Sequence, residues 1–220
     1  MADEVLRILH IAVLGYWLGA ELVINSTYRH VAYSVRASFE ARTQWMEHVM
    51  DVDQHVRYAL VLQAMLGTML AARHGYVPGD AAVIWGAGTV GLLWLAFVEA
   101  VHHWRHEPSG RWFAMADRYL RYGLIGLLLA MAAGLIGTAW PLAEWLRWKL
   151  GLFAGVIACG VGIRFFLIRH FRTWSIMARD GPSDDANAIV KRIYWQATAL
   201  LGFLWALIAA IVVLSVWRPT

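Results

Sequence analysis

Six long apolar runs decide what this chain can fold into. They cover residues 5–24, 56–72, 81–101, 119–139, 150–168 and 195–217. A helix needs about 20 apolar residues to cross about 30 Å of hydrocarbon. In lipid, every backbone N–H and C=O must also be satisfied, which leaves helices or closed barrels as the only spanning structures. Runs of this length predict an all-α polytopic membrane protein, with six transmembrane helices in a single bundle and residues 1–220 forming one domain. The remainder is too short for a separate soluble domain. Composition agrees: 60% of residues are hydrophobic and only 15% are charged, well away from soluble proteins.

Arginine and lysine placement predicts orientation. The connections after the first, third and fifth runs carry twelve basic residues, counting Arg121 just inside the fourth run, against three after the second and fourth. The positive-inside rule then puts the odd connections in the cytoplasm and both termini outside, in a membrane of the bacterial inner type. The net charge of +4 reflects topology and contact with lipid headgroups. No basic–aromatic array supports a nucleic-acid partner. The first run opens on Asp3 and Glu4 instead of a basic segment, so it reads as a retained span, not a signal peptide. Cys159 is the only cysteine, which excludes internal disulfides and thiolate clusters.

Between the runs, residues 26–51 alternate apolar and charged residues near helical period, predicting a helical extension or an interfacial helix. Ser183 or Asp184 is placed to cap the last helix. Tryptophans near the run ends, among them Trp104, Trp145, Trp148, Trp174 and Trp195, read as interface anchors. Trp85, Trp94 and Trp205 lie deeper and read as packing or pocket residues. Gly151 and Gly155 have GxxxG spacing, which favours close helix approach.

The polar residues at the basic boundary carry the chemistry. Glu99, His102, His103 and His106 are spaced i, i+3, i+4, i+7 and share a helix face. Glu21 and Asn25 on the first run, and Asp51 and His55 at the start of the second, reach the same boundary. Glu99–His102 has the i, i+3 carboxylate–imidazole spacing of di-iron bundles. Glu21, Asp51, His55, Glu99, His102, His103 and His106 thus form a candidate nitrogen–oxygen metal set, open to iron, copper, zinc or manganese. A metal-free alternative stays open, in which Arg57 or Arg164 pairs with the carboxylates. Histidines such as His30, His48 and His170 suit headgroup contacts. At least three of Glu21, Asn25, Asp51, His55 and Glu99 are expected to converge, because isolated charges are costly in lipid.

At the opposite boundary, His10 lies near the start of the first run and Lys149 opens the fifth, at matched depth. An imidazole there suits an axial haem position, alone or with His74. Lys149 suits a propionate or a lipid headgroup.

Several short motifs resemble the HemJ/CopD-like integral membrane proteins. They are Leu9-His10-Ile11 before an aromatic span containing Trp17 and ending Tyr28–Arg29–His30, then Phe39–Glu40 and Met46–Glu47, then Trp145-Leu146-Arg147-Trp148-Lys149-Leu150. The resemblance covers the first two runs and the fifth. Ile24–Asn25–Ser26 stands where that group carries a proline–arginine feature. The resemblance implies that His10 and Lys149 contribute to a haem or porphyrin site. HemJ-type members are associated with haem b and protoporphyrinogen oxidation, CopD-type members with copper handling.

Together these readings predict a membrane-embedded metal- or haem-dependent redox protein, an oxidoreductase if it is an enzyme. Its cofactor is haem b or a non-haem iron or copper ion. Its partners are the bilayer and a lipid-like, quinone or porphyrin substrate or redox partner. The alternatives are copper transport or handling, and a non-catalytic membrane subunit. Against transport, mid-membrane sequence is nearly bare of ionisable side chains, with Gln63 the nearest to one.

Overall fold

The computed structural model describes residues 1–105, 107, 110–136 and 142–217, without the side chains of Ala2 and Asp80. His106 of the candidate metal set and Trp140 lie outside the described residues. Six helices follow one another: α1 (Ala2–Tyr33), α2 (Phe39–Arg73), α3 (Asp80–His103), α4 (Gly110–Ala132), α5 (Glu144–Asp180) and α6 (Asp184–Trp217). The chain is an all-helical membrane bundle. Among the described residues, α1, α3, α5 and α6 are long and apolar enough to cross a membrane unaided. Helices α2 and α4 carry the charged pairs Asp53–Arg57 and Asp117–Arg121 within their length.

The helix ends have local causes. The Ser38 side chain accepts from Ala41 N–H to cap α2, and Ser183 does the same for Ala186 at the start of α6. Gly181 closes α5 at a φ of +88°, a conformation that only glycine adopts cheaply. Pro182 follows it and stops the helix. Arg147 Nε donates to the Ala132 carbonyl at 2.9 Å, satisfying a terminal acceptor of α4.

Neighbours in sequence are neighbours in space. Contacts join α1 to α2, α2 to α3, α3 to α4, α4 to α5, α5 to α6 and α6 back to α1, a closed ring. Packing around it is uneven. Helices α1–α2–α3 form one closely packed half and α4–α5–α6 the other, with sparse seams at α3/α4 and α6/α1. Small residues permit the close packing. A Cβ on Gly162 would come within 2.6 Å of Leu200 on α6, and one on Gly155 within 3.1 Å of Leu207. Gly151 faces the other way, toward Ala132 on α4.

Helices α1, α2, α5 and α6 hold 32, 35, 37 and 34 residues, each about 50 Å long at 1.5 Å per residue. They outrun the hydrocarbon by several turns. Met1 and Trp217 lie at one end, called the far end below, and the excess lies at the other, which bears the basic connections and is called the basic end. There the four helices form a compact extension around Tyr28, Val31, Met46, Trp174, Met177 and Val190. Residues 26–51 are thus the end of α1, a tight turn and the first turns of α2. Trp174 is a core residue of this extension, 6% exposed, not the interface anchor its position suggested. Its ring stacks on Phe39 and His170. His170 is fully buried and hydrogen-bonds Tyr28 through Nδ1 at 3.0 Å, so its place is not among headgroups.

Candidate functional site

Two polar sites sit inside the ring, one toward each end. The larger occupies the basic half. Glu21 and Asn25 project from α1, one turn apart on one face. Glu21 is buried and accepts from Trp17 Nε1 at 2.9 Å. Trp205 Nε1 lies near the same carboxylate but outside hydrogen-bonding geometry, and has no partner. Asn25 accepts from Thr198 of α6 at 2.8 Å. Facing them across a cavity of about 110 Å³ are Asp53 and Arg57 of α2, Arg121 of α4 and Arg164 of α5.

Those charges are unequally paired. Arg57 meets Asp53 Oδ2 at 3.2 Å, and Arg121 meets Asp117 Oδ2 at 2.9 Å. Both are i, i+4 pairs that lie on one helix face. Arg164 reaches only Asp53 Oδ2, already used by Arg57, and at 3.8 Å. Three guanidiniums thus share two aspartates, while Glu21 has no cation within ion-pair distance among the described residues. The Coulomb attraction of such groups is strong where water is scarce.

The rest of the basic-boundary set lies elsewhere. His55 hydrogen-bonds Tyr16 on an exposed face of α1 and α2. Glu99 accepts from Tyr58, whose ring edge also approaches His55, with centroids 6.1 Å apart. Asp51 and His102 both contact Arg105, and His103 is exposed against Trp104. Of the five residues expected to converge, only Glu21 and Asn25 share the cavity. Arg164 pairs with Asp53 instead of Glu99. Among the described residues, no three His, Cys, Asp or Glu side chains gather in a group that could hold a metal ion. Asp53, Asp117 and Arg121 escaped the sequence reading. The signal for them was present as two Asp–x–x–x–Arg spacings at span starts.

The second site lies toward the far end. His10 of α1 turns inward against Gly67 of α2, where an added Cβ would sit 3.5 Å from His10 Cε1. Gln63, one turn earlier, donates to the His10 carbonyl at 2.8 Å. Lys149 of α5 is close enough to act electrostatically on the imidazole. His10 Nδ1 is buried with no hydrogen-bond partner, which is uncommon for a polar atom in a packed interior. His74 is engaged with Arg7 and the Leu70 carbonyl, so among the described residues no second imidazole is set toward His10.

An apolar crevice of about 400 Å³ runs between α2, α3 and α4, lined by Leu60, Ala64, Thr68, Trp94 and Phe153 among others. Phe153 is one turn along α5 from Lys149, and Ala64 and Thr68 flank Gly67. None of His10, Gln63, Gly67 and Lys149 lines the crevice, which opens on the α3 side of α2. Trp85, in contrast, faces outward at 77% exposure.

No protein-family model, no curated protein and no solved structure matches this chain.

Proposed function

We propose that this is a membrane-embedded redox protein that holds a haem-type porphyrin at its far end, with His10 as the protein ligand to iron and Lys149 beside a propionate. The observation that carries this reading is the buried, unpartnered Nδ1 of His10, with Lys149 in electrostatic reach. An orphaned imidazole nitrogen beside a cation fits one axial ligand and one propionate partner. The residues do not supply a second axial imidazole. When bound, the haem supplies one-electron chemistry. The chain's own part is to hold the α1 backbone at His10 through Gln63 and to place a positive charge beside the imidazole. The neighbouring apolar crevice suits a lipid-like or quinone partner in size and lining. The basic end faces the cytoplasm, in a membrane of the bacterial inner type.

The test is an absorption spectrum of protein purified from haem-replete cells, before and after dithionite, with pyridine haemochrome quantification. A Soret band at near-stoichiometric haem is expected, and H10A is expected to lose most of it. A colourless wild type, or an H10A variant with an unchanged spectrum and haem content, overturns the proposal.

A further inference from the structure

We propose that the central cavity of the basic half is a binding site for a single oxyanion, a carboxylate or phosphate group, received by Arg164 together with Arg57 and Arg121. This goes beyond the porphyrin reading and uses none of its residues.

The cavity wall carries three guanidiniums, and ion pairs to Asp53 and Asp117 leave one of them under-matched, since Glu21, the other carboxylate on the wall, lies within ion-pair distance of none of them. Arg164 is the one left over. Its single ion pair is the longest of the three, it shares its acceptor atom with Arg57, and it makes no hydrogen bond among the described residues. A guanidinium carries five N–H donors in a planar fork suited to a carboxylate or phosphate. Leaving such donors without acceptors is costly inside a bundle, and an added oxyanion supplies them.

Geometry fits the same occupant. The three arginines come from α2, α4 and α5, so their heads meet from different helices. About 110 Å³ is enough for a phosphate or carboxylate, and too little for a porphyrin. The cavity is not sealed, since the Arg164 side chain is 39% exposed. Above and below the charges the wall is aliphatic, with Ile24, Val56, Leu60, Ile163 and Leu167. That lining suits the acidic end of an amphiphile as well as a free ion. Glu21 and Asn25 stand opposite. The Asn25 amide N–H₂ can donate a hydrogen bond to an oxyanion.

The experiment uses the full-length protein in detergent and in nanodiscs. Inorganic phosphate and decanoate are titrated by calorimetry, and phosphatidic acid is measured by native mass spectrometry. Binding of a soluble probe identifies a free oxyanion as ligand, and binding of phosphatidic acid alone identifies a lipid headgroup. Either supports the site, and no binding of all three to folded protein overturns it. R164Q is expected to weaken binding at least tenfold, with R164K recovering part of the loss. R172Q, on the exposed surface of α5, is expected to bind as wild type. D53N releases Arg57 and Arg164 from their shared acceptor, so it is expected to tighten binding several-fold. A purely structural ion network predicts the reverse, because the aspartate's loss would only loosen the fold. Unchanged affinity in R164Q, or unchanged or weakened affinity in D53N, overturns the proposal. None of these readouts depends on haem, so failure here and failure of the porphyrin reading are separable.

Discussion

A buried arginine in the basic-end extension shows how much one side chain settles here. Arg42 is 1% exposed. Its Nε donates to the Val31 carbonyl at 3.0 Å, closing an acceptor near the end of α1, and another nitrogen donates to Asn187 of α6 at 2.9 Å. Its guanidinium carbon lies 5.1 Å from the Trp174 ring centroid. Burial pulls its pKa below the ordinary value. The two acceptors and the ring face offset that desolvation. One planar head thus ties α1, α2, α5 and α6 together. R42A is expected to cost about 2–4 kcal/mol, because it strands two polar groups and opens a void. R42K is expected to recover little, since an ammonium has no fork to bridge both acceptors. Thermal melts of the purified variants in detergent measure both, and an R42A melting temperature equal to wild type contradicts the account.

At the scale of helices, spacing is set by glycines. Gly162 faces Leu200 so closely that any added side chain must displace the Leu200 side chain or push α5 away from α6. G162L is expected to destabilise by about 1–3 kcal/mol through overpacking. Gly202, with open space around its Cβ position, is expected to accept alanine with a small gain in helix stability. Equal melting temperatures for G162L and G202A would refute this packing account. The existence and order of the six helices were legible in the sequence from its six apolar runs, although only α1, α3, α5 and α6 are long and apolar enough to cross a membrane by themselves among the described residues. So were the cap at Ser183 and the matched depth of His10 and Lys149, which follow from local chemistry and span register. The face each helix turns inward was not legible. His55, Glu99 and His102 look interior by residue type, yet rotation about the helix axes turns them toward Tyr16, Tyr58 and Arg105. His170 and Trp174 look interfacial by position. They are buried because α1, α2, α5 and α6 continue beyond the apolar runs and build a second core there. That core depends on pairing across 142 residues of sequence between Tyr28 and His170, which periodicity cannot reveal.

For the whole molecule, charge asymmetry predicts orientation. In a C159A background, a cysteine at position 183 is expected to resist a membrane-impermeant maleimide in intact cells and to react after permeabilisation. A cysteine at position 4 is expected to react in intact cells, and the opposite pattern reverses the topology. The uneven ring has a consequence of its own. The two three-helix halves touch directly along two thin seams. They are joined through the middle by the shared core of Trp17, Ala59, Val156 and Leu204, at the basic end by Arg42, Trp174, Tyr28 and His170, and toward the far end by Tyr76 set edge-on against Trp145. His10 belongs to one half and Lys149 to the other. The far site is therefore a property of the docked pair and of neither half alone.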